Sequence, residues 1–157
     1  NIFSASPLYD IGKVGIPDRV LLSTEKYSEE DFEIMKKHTL IGYDTLNEVL
    51  QKFGDNKFIE MGAQIARSHH EHWDGTGYPD KLKGEEIPIS ARIISILDTY
   101  DALTTQRNYK NIVSHQEALD IIKSEAGKQF DPNIVEEFIN VAEQIAKVNQ
   151  NDDELVG

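Results

Sequence analysis

The run His69-His70-Glu71-His72-Trp73-Asp74-Gly75-Thr76-Gly77-Tyr78-Pro79 places three of the chain's five histidines beside two acids and a glycine-rich turn. Neutral imidazole and carboxylate together suit first-row divalent ions, so this stretch has the composition of a metal site. The adjacent pair His69-His70 is its strongest part, because two neighbouring imidazoles repel on protonation unless they are solvated or metal-bound. Asp98 lies in the apolar run Ile93-Ile94-Ser95-Ile96-Leu97-Asp98-Thr99-Tyr100, where an unpaired buried carboxylate is costly. It needs a metal, or a partner in Arg92 or Arg107, or a place on the polar stripe beside Asp101. His38 stands next to Lys36 and Lys37, which show solvent nearby, so taken alone it reads as an ordinary histidine on a helix flank rather than a ligand. His72 and His115 have no comparable partners and are expected in solvated or packing roles. Trp73, Tyr78, Tyr100 and Tyr109 are expected to pack in the core or in loops, although an aromatic ring beside a nucleotide pocket also stacks on bases.

Helices must deliver these groups. Ser28 with Asp31 resembles a capping box and opens a helix predicted to run through Leu50, with His38 in its middle. After Gly54-Asp55-Asn56, the spacing of Phe58, Ile59, Met61, Ile65 and Ala66 predicts a second helix that carries His69 and His70 to its C-terminal end. From Asp74 to Pro88, Gly75, Gly77, Pro79 and Gly84 interrupt any period and predict an Ω-like surface loop. A central, buried helix is predicted from Ser90 to Thr105. Ser114 with Glu117 opens another that Gly127 would stop, and Asp131-Pro132 opens the last. No alternating stretch is long enough for a sheet, so the expected class is all-α.

The chain has 157 residues, enough for one domain with a hydrophobic core. It has no cysteine, which excludes disulfides and thiolate zinc sites and makes a reducing cytoplasm the default. No apolar run reaches the ~20 residues of a membrane span and no signal-peptide pattern opens the chain. Sixteen basic against twenty-eight acidic side chains give a net charge of −12, which argues against a nucleic acid polymer as partner. The chain enters its first motif, Tyr9-Asp10-Ile11-Gly12-Lys13, almost directly, so helices that would cover it are expected to lie outside the sequence. The final Asn149-Gln150-Asn151-Asp152-Asp153-Glu154 is read as a frayed acidic tail, 149–157, after a domain of residues 1–148.

Taken in order, Tyr9-Asp10-Ile11-Gly12-Lys13, His38, His69-His70-Glu71, Asp74 to Pro79, Ala91-Arg92-Ile93, Asp98 to Thr104 and Arg107-Asn108-Tyr109-Lys110 resemble the HD-GYP family. That family is a branch of the HD metal-dependent phosphohydrolases and degrades the bacterial second messenger cyclic di-GMP. The resemblance implies a compact helical bundle with a Gly/Pro-rich loop, in which Asp10 bridges two metal ions and His38, His69, His70 and Asp98 complete their coordination. It further implies that Lys13 faces the bridging water or scissile phosphate, that Arg107 and Lys110 contact the nucleotide's phosphates, and that Tyr78 belongs to the loop that names the family. The loop is then a docking surface for diguanylate cyclase (GGDEF-type) domains.

One departure is chemical. Tyr9 stands where the family has the histidine of its HD pair, and a phenol of reference pKa ~10 is a weak ligand for divalent ions at neutral pH. The five remaining ligands, without a thiolate, suit iron or manganese, one or two ions per chain. Two functions are therefore expected to compete. One is metal-dependent hydrolysis of cyclic di-GMP to pGpG or GMP. The other is a non-enzymatic signalling module that retains metal or nucleotide and acts through Gly77-Tyr78-Pro79.

Overall fold

The computed structural model describes residues 6–105 and 113–142. Short 3-10 turns at Ser6–Leu8 and Ile11–Gly15 lead into α1 (Asp18–Leu21), α2 (Glu29–Lys36), α3 (His38–Phe53) and α4 (Lys57–Ser68). A loop with a 3-10 turn at Gly84–Glu86 precedes α5 (Ile89–Thr104), α6 (His115–Ser124) and α7 (residues 132–142). Among the described residues there is no strand, only one isolated bridge between Ala126 and Phe130. The all-α class holds, and among the described residues no helix is long and apolar enough to cross a membrane.

The predicted helix starts are met by side-chain caps. Ser28 Oγ accepts the Asp31 N–H at 3.1 Å, Ser114 Oγ accepts that of Glu117 at 3.2 Å, and Asp131 Oδ1 accepts that of Asn133 at 2.9 Å. Asn56 caps α4 through the N–H groups of Phe58 and Ile59. Gly127 follows at positive φ, but α6 has already ended at Ser124.

The single helix expected from Ser28 to Leu50 is instead two, α2 and α3, interrupted at Lys37. No glycine or proline marks the break. Side chains make it: His38 Nδ1 lies 2.7 Å from the Met35 carbonyl, and Thr39 Oγ1 donates to the Lys36 carbonyl at 2.9 Å. These carbonyls belong to the last turn of α2, which a helix end leaves without intrahelical partners. His38 thus heads a new helix rather than sitting inside an old one.

α3 and α4 form the most extensive helix pair, and the Ile11–Gly15 turn lies across α3. Gly12 is required there, because a β-carbon would overlap the His38 carbonyl. Leu46, Ala63 and Ala66 are buried between α3 and α4, with Leu8 and Ile11 against them. Ile65 and Ile94 join α4 to α5, with Tyr9 and Met61 alongside. Ile96, Ile122, Phe130 and Val135 join α5, α6 and α7. α5 is central but not wholly buried: Ile89 is 60% and Leu97 43% exposed.

Candidate metal centre

Two helix ends and a turn meet at one point. α3 begins with His38, α4 ends immediately before His69 and His70, and the turn carrying Asp10 is held against α3 by Gly12. The ligand atoms of His38, His69 and His70 all lie within 4.8 Å of one another, and His38 and His69 are almost fully buried. His38 Nε2 and His69 Nε2 are 3.4 Å apart, and Asp10 Oδ1 lies 3.5 Å from the first and 3.9 Å from the second.

Proton positions follow from the backbone. His38 Nδ1 faces the Met35 carbonyl, and His69 Nδ1 faces those of Ile65 at 3.0 Å and Ala66 at 3.1 Å. Carbonyls only accept, so each Nδ1 carries the proton and each Nε2 presents a lone pair. Burial lowers the pKa of His38; burial and then the neighbouring His38 bring that of His69 down to about 4, and burial and then His69 lower that of His70. All three are neutral at pH 7, the state a metal requires. Asp10 Oδ1 is buried and has no hydrogen-bond partner. Two lone-pair nitrogens and an orphaned carboxylate oxygen converging within 4 Å is costly without a cation, and the donor set fits a first-row divalent ion.

The other predicted residues are placed less uniformly. Lys13 Nζ lies 2.5 Å from Asp10 Oδ2, so it is beside the cluster. Asp98 is half-buried and accepts a hydrogen bond from the Tyr9 hydroxyl at 3.1 Å. Its sequence-level alternative partner Arg92 is engaged elsewhere, with Asp131 at 2.7 Å. Burial, followed by the charges of Asp98 and Asp10, raises the Tyr9 pKa, so the phenol keeps its proton. Tyr78 stacks on His70, with ring centroids 4.9 Å apart. Arg107 and Lys110 lie outside the described residues, as does the 149–157 tail. His72 pairs with Thr76 and His115 with Tyr100, consistent with roles away from the cluster.

The two acids of the histidine-rich run are structural. Glu71, 2% exposed, accepts the N–H groups of Asp80 at 2.7 Å and Leu82 at 3.1 Å. Asp74 accepts from Thr76. Arg67 adds a two-pronged ion pair to Asp80, at 2.6 and 2.8 Å. Gly77 is buried, and a β-carbon there would overlap the backbone of His70 to His72. The predicted surface loop is therefore pinned onto the end of α4.

A groove of about 740 Å³ opens beside His70 and Tyr78, with Phe32, Lys36, Lys37 and Lys81 along its walls. Lys36 Nζ sits 5.3 Å from the Phe32 ring and 5.6 Å from that of Tyr78. Nothing in the residue pattern alone marks these lysines as functional. Lys36 and Lys37 register in the sequence only as signs of solvent near His38, and the i, i+4 spacing of Phe32 and Lys36 was the one available signal.

The HD domain family model matches residues 1–134. The chain is 44% identical over 147 residues to a cyclic di-GMP phosphodiesterase of Vibrio cholerae, covering 94% of this chain and 30% of that one. It is 45% identical over 144 residues to a cyclic di-GMP phosphodiesterase of Thermotoga maritima, covering 92% and 38%. A crystal structure of a cyclic GMP-AMP-specific phosphodiesterase of V. cholerae matches with a TM-score of 0.59 at 25% identity, over 93% of this chain and 37% of that chain. The chain thus spans well under half the length of these relatives. The family match takes in Asp10, the histidine cluster, the pinned loop and Asp98 in a single run, and the chain belongs to the HD domain family, in the HD-GYP form that its motifs resemble.

Proposed function

We propose that this chain is the hydrolytic part of a metal-dependent phosphodiesterase acting on a cyclic dinucleotide, cyclic di-GMP. The observation that supports this best is the orphaned Asp10 oxygen facing two imidazole lone pairs, with His70 linking that cluster to a lysine-lined groove. His38, His69, His70 and Asp10 would hold the ion, with Asp98 nearby, and a set of imidazole and carboxylate ligands without a thiolate suits iron or manganese. A bound ion acidifies water and offsets charge on phosphoryl oxygens, as phosphodiester hydrolysis at neutral pH requires.

The chain's own residues would do the rest. Lys13, paired with Asp10 Oδ2, holds its ammonium beside the cluster, where its remaining N–H groups can donate to a phosphoryl oxygen. Lys36 is paired with Glu33, and Lys37 and Lys81 leave the groove wall with more basic than acidic groups, which favours entry of a doubly anionic substrate. Tyr78 and Phe32 offer aromatic surface to a base, and Arg107 and Lys110 would take the distal phosphate. Tyr78, stacked on His70 and lining the groove, serves the nucleotide in this reading rather than a diguanylate cyclase domain docked on the loop.

A second function, a binding module without turnover, is favoured by one observation: Tyr9 donates its hydroxyl proton to Asp98 and offers only a neutral, weakly ligating phenol oxygen in the place of a histidine nitrogen. Anaerobic turnover of cyclic di-GMP with Fe(II) or Mn(II), native protein against Tyr9→His, separates the two. Hydrolysis by the native protein is expected. Activity confined to the variant would make the native chain a silenced module, and silence in both would overturn the phosphodiesterase.

A further inference from the structure

We infer that Tyr9 closes off a second metal position, so that the centre holds a single ion per chain; this rests on the metal centre proposed above. The Tyr9 ring is fixed by packing against Ile65 and Ile94 and stands edge-on to His69, with centroids 5.2 Å apart. From there its hydroxyl reaches Asp98 Oδ1 at 3.1 Å. The phenol donates its proton in that bond, so one Asp98 oxygen is engaged by a neutral hydrogen-bond donor and the histidine nitrogen expected at this position is missing.

The opposite flank is restricted in the same way. Lys13 Nζ, 2.5 Å from Asp10 Oδ2, leaves Asp10 only Oδ1 to turn toward the imidazoles. A carboxylate that bridges two ions through both oxygens needs both of them free. The protein atoms that converge are Asp10 Oδ1 and one nitrogen from each of the three histidines, a group that Asp98, held by Tyr9, does not join. With water in the open position, that set completes the shell of one first-row ion and falls well short of two.

The test is a count. Chelator-stripped protein is titrated anaerobically with Mn(II), freed of unbound ion, and analysed for manganese content and by electron paramagnetic resonance. The native protein is expected to hold one Mn(II) per chain, with the hyperfine pattern of an isolated ion. Tyr9→His should hold a second and give the spectrum of a spin-coupled pair. Two coupled ions in the native protein would overturn the inference while leaving the metal centre intact; no bound ion would overturn both. A folded Tyr9→His variant that still binds only one ion would overturn the role given to Tyr9. If that variant does not fold, the native count decides by itself.

Discussion

Two regions of this molecule bury charged or polar groups, and they treat them in opposite ways. Around the pinned loop and α5, Glu71 receives two backbone N–H groups, while Asp131 receives Arg92 and the Asn133 N–H. Among the described buried side-chain atoms there, Arg92 Nε alone lacks a partner, and that guanidinium lies over the Trp73 ring at 5.7 Å. In the histidine cluster the outer atoms of His38 and His69 are anchored just as firmly, each Nδ1 on a helix-end carbonyl, but their Nε2 lone pairs and Asp10 Oδ1 face one another without a donor among them. A buried polar group that serves stability is saturated by its neighbours. One that serves a ligand is held in place from behind and left open in front.

The sharpest way to break this contrast is to remove one member from each region. His69→Ala is expected to abolish metal binding with helical content retained, read by elemental analysis and far-ultraviolet circular dichroism; unchanged metal content would remove the proposed centre. Tyr9→His tests the same region from the other side, through the counts and turnover described above.

Acid should also distinguish the regions in metal-free protein. The imidazole pKa values are lowered by burial, with His69 falling from 6.5 to about 4. Between those values the unfolded chain binds more protons than the folded one, so acid favours unfolding. The contribution is full above pH 6.5 and is lost progressively as the pH falls toward 4. Urea midpoints of chelator-treated protein are expected to drop across that window, and added Mn(II) should restore them at its upper end. A flat profile would mean that the imidazoles are not held neutral by burial.

Glu71→Ala should act through stability alone. It leaves the N–H groups of Asp80 and Leu82 without acceptors, a cost of roughly 3 kcal/mol in urea unfolding, and the folded fraction should still bind metal. Loss of metal without loss of stability would make Glu71 part of the centre. The smallest effect is expected at Ser28→Ala, about 1 kcal/mol from the lost cap of α2. Because α2 carries Phe32 and Lys36, that variant should also weaken nucleotide binding in the groove more than metal binding, a difference measurable by calorimetry.

Local chemistry was readable in the residues themselves. Ser28, Ser114 and Asp131 announced helix starts because capping is a contact between residues two or three apart. The all-α class followed from apolar spacing, and His69-His70 was visible as a candidate because two adjacent imidazoles need an explanation. The sequence by itself therefore determined the elements, the candidate ligand types and the anomaly at Tyr9.

Contacts between distant segments decided the rest. The break at Lys37 carries no glycine or proline; it exists because His38 and Thr39 satisfy the carbonyls of α2 while the Ile11–Gly15 turn packs on α3. Glu71 looked like a member of the metal-rich run and became a loop anchor, because its carboxylate reaches N–H groups nine and eleven residues ahead. Asp98 could have paired with Arg92, but Asp131 took that guanidinium from 39 residues away, and Tyr9 met Asp98 across 89. Which acids stay open to an ion and which are saturated depends on the donors that arrive from elsewhere in the chain. That is set only when the helices pack.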